Sequence, residues 1–368
     1  MADPRIRKFA ELLVNYSTRV KPGDWVHVEG DILAAPLVRE VVGSALRAGG
    51  NVTYELLDDE TTEIRLQNSS VEQLSKENPL ALQSIKEADV LIFINAPANT
   101  RSLKGIDPTK MQALVRGRNE WHQVYMKRSA TGELRWTLTN YPTHALAQDA
   151  DMSLSDYENF IYAATFIDRD DPVAEWEKIR IDQEKLVNWL NGKNEVIIRG
   201  PNVDIKMSVT GRKFINSFGD LNMPSGEVYT SPVEDSVNGW VKFTYPAIFR
   251  GREVDGVYLE FKDGKVVKAS AEKDEEYLVN MLDTDAGARY LGELGIGTNY
   301  GIQQFTRDIL FDEKIGGTFH LAIGSGFEEA GGKNFSAIHW DLICDARTDT
   351  EMTIDGVTFY KNGKFLIQ

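Results

Sequence analysis

Cysteine is nearly absent. Cys344 is the only one in 368 residues, so no intrachain disulfide is possible and a reducing compartment is expected. Positive charge is also scarce: 41 Lys and Arg stand against 56 Asp and Glu, a formal net charge of −15. Nucleic acid and anionic membrane surfaces both call for a basic face, so neither is an expected partner. No apolar run approaches the roughly 20 residues of a membrane-spanning helix. Met1-Ala2-Asp3-Pro4-Arg5 leads into an amphipathic stretch and does not read as a signal peptide. These absences together predict a cytoplasmic protein. Neither a GxGxxG nor a P-loop pattern follows any strand-like segment, so a bound nucleotide is not supported. Internal repeats and low-complexity tracts are lacking as well.

What the sequence does have is enough apolar character, 42% hydrophobic residues, to fill substantial cores. At about 150 residues per domain the length argues for two. In the first half, strand-like Trp25–Glu29, a helical stretch over 35–48 stopped by Gly49-Gly50, and strand-like Asn51–Leu57 make a βαβ unit and hence a parallel sheet. The apolar run 88–95 reads as a strand buried on both faces. A helix over 171–192 starts with Asp171-Pro172, ends at Gly192, and carries Val173, Trp176, Ile179, Leu186 and Leu190 on one face. Beyond it the pattern changes to alternation (Val203, Ile205, Met207, Val209) and to the turn signals Asp263-Gly264, Asp355-Gly356 and Asn362-Gly363. The expected fold class is α/β: an N-terminal, mostly parallel sheet with flanking helices over 1–185. A mixed or antiparallel α+β domain with a few helices, such as 275–282, is expected over 186–368.

Of five histidines, His27 falls in a strand pattern and reads as structural, and His122 and His144 have no recognisable partners nearby. His339-Trp340-Asp341 lies in a strand pattern, which projects an imidazole and a carboxylate to the same face. His320 precedes a second strand pattern, and the glycine-rich stretch 324–332 connects the two. Glu227, after Pro224-Ser225-Gly226, and Glu293, in Gly292-Glu293-Leu294-Gly295-Ile296-Gly297, sit where a solvated glutamate is out of place. These five residues are candidate ligands. Mixed nitrogen and oxygen donors suit zinc, cobalt or manganese. Three carboxylates offset most of the charge of two divalent ions, and a pair of metals about 3.5–4 Å apart is a device for hydrolysis. Cys344 has no catalytic context and reads as core packing.

Four stretches in order, 222–228, 288–293, 320–324 and 331–341, resemble the thermophilic-aminopeptidase family of metallopeptidases, the family of aminopeptidase T and aminopeptidase S. The resemblance implies that Glu227, Glu293, His320, His339 and Asp341 bind two divalent metal ions, with Glu227 and Glu293 also the possible base. It implies a homodimer with an enclosed cavity that removes N-terminal residues from short peptides with a free N-terminus. One position departs from the family: Phe327 stands where the family has a catalytic tyrosine, and a phenyl ring donates no hydrogen bond. Tyr229, Tyr300 and Ser325 are candidate substitutes. The departure, with a 320–339 loop shorter than the family's, supports one alternative, a metal-dependent hydrolase of another small amide or modified amino acid; a second, of a different class, is a non-catalytic peptide- or metal-binding relative.

Overall fold

The computed structural model describes residues 3–249 and 251–367; Met1 and Ala2, at the head of the stretch read as lacking a signal peptide, lie outside them. The chain forms two compact units, residues 1–173 with 219–224, and residues 174–218 with 225–368.

Unit 1 is the expected parallel sheet. Its strands are β1 (Trp25–Asp31), β2 (Asn51–Leu57), β3 (Val90–Asn95) and β4 (Arg135–Asn140), joined by helices that include α1 (Ala35–Arg47), α2 (Pro79–Glu87) and α3 (Asn119–Ala130). They lie in the order β2-β1-β3-β4, extended by the short strand Asn222–Met223, and all pairs are parallel. The strand order reverses direction after β2, so α1 and the later helices cover opposite faces. β3 carries the continuous apolar run, and Val90, Leu91, Ile92 and Ile94 are all buried. α2 starts cleanly because Pro79 follows Asn78, whose side-chain oxygen accepts from the amides of Leu80 and Ala81.

Unit 2 contains most of α4 (Pro172–Leu190), where Trp176, Leu186, Val187 and Leu190 are buried while Val173 is exposed. An eight-stranded antiparallel sheet runs from Lys265–Ser270 at one edge to Lys364–Phe365 at the other. Its hairpins turn at the expected places: Asp263, Asp355 and Asn362 each adopt positive φ ahead of a glycine that does the same. A second, five-stranded antiparallel sheet is ordered β9-β8-β7-β6-β5, with β5 Ile215–Ser217, β6 Glu227–Thr230, β7 Leu291–Gly297, β8 Thr318–Gly324 and β9 His339–Asp345. One face of this sheet is apolar. Val228, Leu294, Ile296, Leu321, Ile323, Leu342 and Cys344 join the large core of unit 2, which includes the eight-stranded sheet. The expected helix 275–282 is present at Glu275–Leu282. Among the described residues no helix is long and apolar enough to cross a membrane.

Candidate metal centre

Alternation along the five-stranded sheet turns the polar residues to the face opposite the core. Cross-strand partners share a face. Gly297 pairs with Glu227, Gly295 with His320, Glu293 with Ala322, Ala322 with Asp341, and Gly324 with His339. All five sequence-predicted residues therefore project from one surface. The positions between them are glycine or alanine.

Two of those glycines are required by contact. A Cβ on Gly295 would lie 2.0 Å from Nε2 of His320, so only glycine admits the imidazole. A Cβ on Gly297 would lie 2.2 Å from the carbonyl oxygen of Ile315. That close approach lets the chain at 314–315 cross the sheet and brings Lys314 to the site.

Glu293 is the hub. Its Oε1 lies 3.3 Å from Nε2 of His320, and its Oε2 lies 3.2 Å from Nε2 of His339. His320 Nε2 is also 3.5 Å from Glu227 Oε2, and His339 Nε2 is 3.5 Å from Asp341 Oδ1. Two triads result, Glu227–Glu293–His320 and Glu293–His339–Asp341, each with donor atoms within 4.8 Å of one another. Glu227, Glu293 and His320 are buried.

Neighbours hold the pieces in place. The amide nitrogen of Gln183 on α4 donates to the main-chain oxygens of Ser217 (2.9 Å) and Glu227 (3.1 Å), and Thr298 Oγ1 donates to its oxygen at 2.6 Å. Nδ1 of His339 is 2.8 Å from the carbonyl oxygen of Ser325. A carbonyl only accepts, so Nδ1 carries the hydrogen and Nε2 is directed at the carboxylates.

The side chains of the cluster shift one another's proton affinities. Burial disfavours charged imidazoles, but Asp341 and Glu293 outweigh it and push His339 up to about 12. Glu293 and Glu227 likewise push His320 up to about 10. Burial raises Glu227 to about 8 against the pull of Lys314. Glu293 is also raised by burial, yet hydrogen bonds from the two imidazoles hold it below the usual carboxylate range, and His339 draws Asp341 down to about 2. Oε2 of Glu227 and Oδ1 of Asp341, one in each triad, are buried without a hydrogen-bond partner. Orphaned carboxylate oxygens and imidazoles aimed at carboxylates fit divalent cations, which would replace the imidazole protons.

Phe327 lies at this site. Its ring centroid is 5.0 Å from that of His339 and 5.1 Å from that of Tyr229. Of the three substitute donors, Tyr300 is committed to the carbonyl of Gly363 at 2.7 Å, while the main-chain carbonyl of Ser325 holds His339 and leaves its hydroxyl a candidate. Tyr229 shares the strand face of Glu227, and its hydroxyl donates to Glu329 at 2.5 Å. His122 stacks on Tyr125 and His144 opens a short helix; both belong to unit 1.

Lys314 and Glu313 were not singled out from sequence. Lys314 is fully buried, forms an ion pair with Glu313, and has its Nζ 3.9 Å from Oε1 of Glu227. In sequence Asp312-Glu313-Lys314 reads as a solvated charged run; the only hint is the Ile315-Gly316-Gly317 that follows.

Comparison with known proteins extends the site to a lineage. The chain matches the thermophilic metalloprotease family, M29, over residues 2–365. It is 30% identical to aminopeptidase 2 of Geobacillus stearothermophilus, with 98% of this chain and 95% of that one covered. It is 26% identical to aminopeptidase T of Thermus thermophilus, with 97% and 95% covered. In structure it is similar to wild-type AmpT from Thermus thermophilus, with a TM-score of 0.83 at 24% identity and 99% of each chain covered. It is also similar to 2,5-dihydroxypyridine dioxygenase from Pseudomonas putida KT2440, with a TM-score of 0.60 at 14% identity and 99% and 97% covered. At those identities the structural likenesses speak for fold alone. Because the family match takes in both units and all five residues of the cluster, the chain belongs to the M29 thermophilic metalloproteases and is a metal-dependent hydrolase.

Proposed function

We propose that this protein is an aminopeptidase that holds two divalent cations, zinc, cobalt or manganese, and releases N-terminal residues from short peptides. The observation that carries the proposal is the sharing of Glu293 by two triads, each with an imidazole and a second carboxylate. In this reading Glu227, Glu293 and His320 hold one ion, and Glu293, His339 and Asp341 hold the other, all within the domain expected over 186–368. When bound, such a pair polarises the scissile carbonyl and makes water a nucleophile near neutral pH.

The remaining work falls to the chain. Ser325 keeps the His339 imidazole in the tautomer whose Nε2 is free to ligate. Because Glu293 gives an oxygen to each triad, Glu227 is the carboxylate that would accept a proton from the attacking water and return it to the departing amine as the C–N bond breaks. The acidic surface receives the ammonium group of a free N-terminus. The relatives from Geobacillus stearothermophilus and Thermus thermophilus are named aminopeptidases, and that activity accords with this arrangement. Cytoplasmic residence, supported by the single buried Cys344, and a homodimeric state complete the proposal.

A second reading, hydrolysis of another small amide by the same ions, draws on Phe327. One assay distinguishes the two: metal-loaded protein tested on dipeptides and aminoacyl amides beside their N-acetylated forms. Cleavage of the free-amine substrates alone is expected. Preferential cleavage of the acetylated ones would overturn the aminopeptidase reading.

Phe327 yields a separate prediction. A hydroxyl on its ring would add a hydrogen-bond donor beside His339. One donor to a developing oxyanion is typically worth about 10²–10³ in turnover. Phe327→Tyr is therefore expected to raise kcat on a simple dipeptide by about tenfold or more. An unchanged kcat would mean that Tyr229 or another group already supplies the donor.

A further inference from the structure

Unit 1 contains a second group of side chains close enough to share an ion. His27 and Glu29 occupy alternate positions of β1, and Glu55 of β2 lies in register with Glu29. One donor atom from each of the three lies within 4.8 Å of the others. The opposite face of β1, Val26 and Val28, is buried in the core, so the sheet turns this polar trio outward. They line a cavity of about 300 Å³ whose other walls include Leu80 and Ser84, Leu91 of β3, and Trp121 of α3.

The carboxylates of the trio are not paired at close range. Two carboxylates in register on neighbouring strands repel. Burial raises Glu29, Glu55 and Asp31 raise it further, and Arg118 is the cation that opposes them. Among the described residues neither Glu29 nor Glu55 has a hydrogen bond or an ion pair within 4 Å to its carboxylate. His27 has Thr53 Oγ1 2.9 Å from its Nδ1, so the ring is oriented by its register neighbour on β2. Burial lowers the imidazole's pKa against the pull of Glu55, the direction that favours the ligating form.

We infer that His27, Glu29 and Glu55 form a separate site for one divalent transition-metal ion of the zinc type, open to a small donor molecule from the cavity. The imidazole argues for such an ion over calcium or magnesium, which prefer all-oxygen sites. Three protein donors leave a coordination position for water or a small ligand. This gives His27 a ligand's role besides its place in the strand, and it does not depend on the catalytic proposal.

The test counts ions on the full chain. Protein stripped by chelation is reloaded with Zn²⁺, dialysed and analysed for metal. Three variants are compared with the wild type: Glu293→Ala, the same variant carrying His27→Ala, and Glu55→Gln alone. Glu293→Ala is expected to keep one ion that the added His27→Ala removes. Glu55→Gln, on an exposed edge strand, is expected to weaken binding of that ion on the order of tenfold with peptide hydrolysis unchanged. Equal zinc content with and without His27, or wild-type zinc affinity in Glu55→Gln, would overturn the inference.

Discussion

Glu293→Ala is expected to reduce kcat/KM on a dipeptide by at least about 10³, equivalent to about 4 kcal/mol of transition-state stabilisation. The same variant is expected to hold two fewer ions per chain than the wild type. The reason is its position: its two oxygens face different imidazoles, at 3.3 and 3.2 Å, and no other residue belongs to both triads. His320→Ala makes the control. It removes a donor from one triad and leaves Glu293, His339 and Asp341 in place, so one ion rather than two should be lost. Folding should survive in both, because the apolar face of the sheet that carries the core is untouched. Elemental analysis beside steady-state kinetics checks the pair. Glu293→Ala with wild-type metal content, or with turnover within tenfold of wild type, would refute the hub role.

Lys314→Met is expected to destabilise the metal-free protein by about 3–5 kcal/mol, the usual consequence of removing one partner from a buried ion pair. The lysine is fully buried, so solvent does not screen the loss, and Glu313 would lose its ion-pair partner while Glu227 would keep only His320 beside it. At roughly 2–4 °C per kcal/mol for a domain of this size, Tm should fall by about 10 °C. Adding Glu313→Gln to Lys314→Met should recover a large part of the loss, since it removes the orphaned charge. The double-mutant cycle isolates that coupling. A Tm change under about 2 °C in the single variant would mean that the ammonium contributes little.

The two residues behind these predictions differ in how visible they are in the sequence. Glu293 stands out because the glycines around it exclude a solvated face, and two of them, Gly295 and Gly297, prove to be the spaces that His320 and the 314–315 segment enter. His339 and Asp341 are legible through the period of two, which a strand imposes on any i, i+2 pair. The hairpins at Asp263, Asp355 and Asn362 are legible because positive φ restricts residue choice. Lys314 is invisible for the converse reason. Its burial is set by a long-range contact, the passage of its backbone across Gly297, and not by its neighbours in sequence. Periodicity also fails to order the strands. Nothing in the run from Trp25 to Asn140 says that β1 lies between β2 and β3, because the order follows from crossovers rather than local pattern. The two-residue strand Asn222–Met223 and the three-residue β5 are too short for any alternation to mark them.

The claim that two cations share Glu293 is tested most directly by anomalous diffraction at the zinc absorption edge from crystals of zinc-loaded protein. At the five-residue cluster the account predicts two peaks, one about 2.0–2.2 Å from donors of Glu227, Glu293 and His320, the other at the same distance from donors of Glu293, His339 and Asp341, apart from any ion held by His27, Glu29 and Glu55. A single peak at these five side chains, or none, would contradict it.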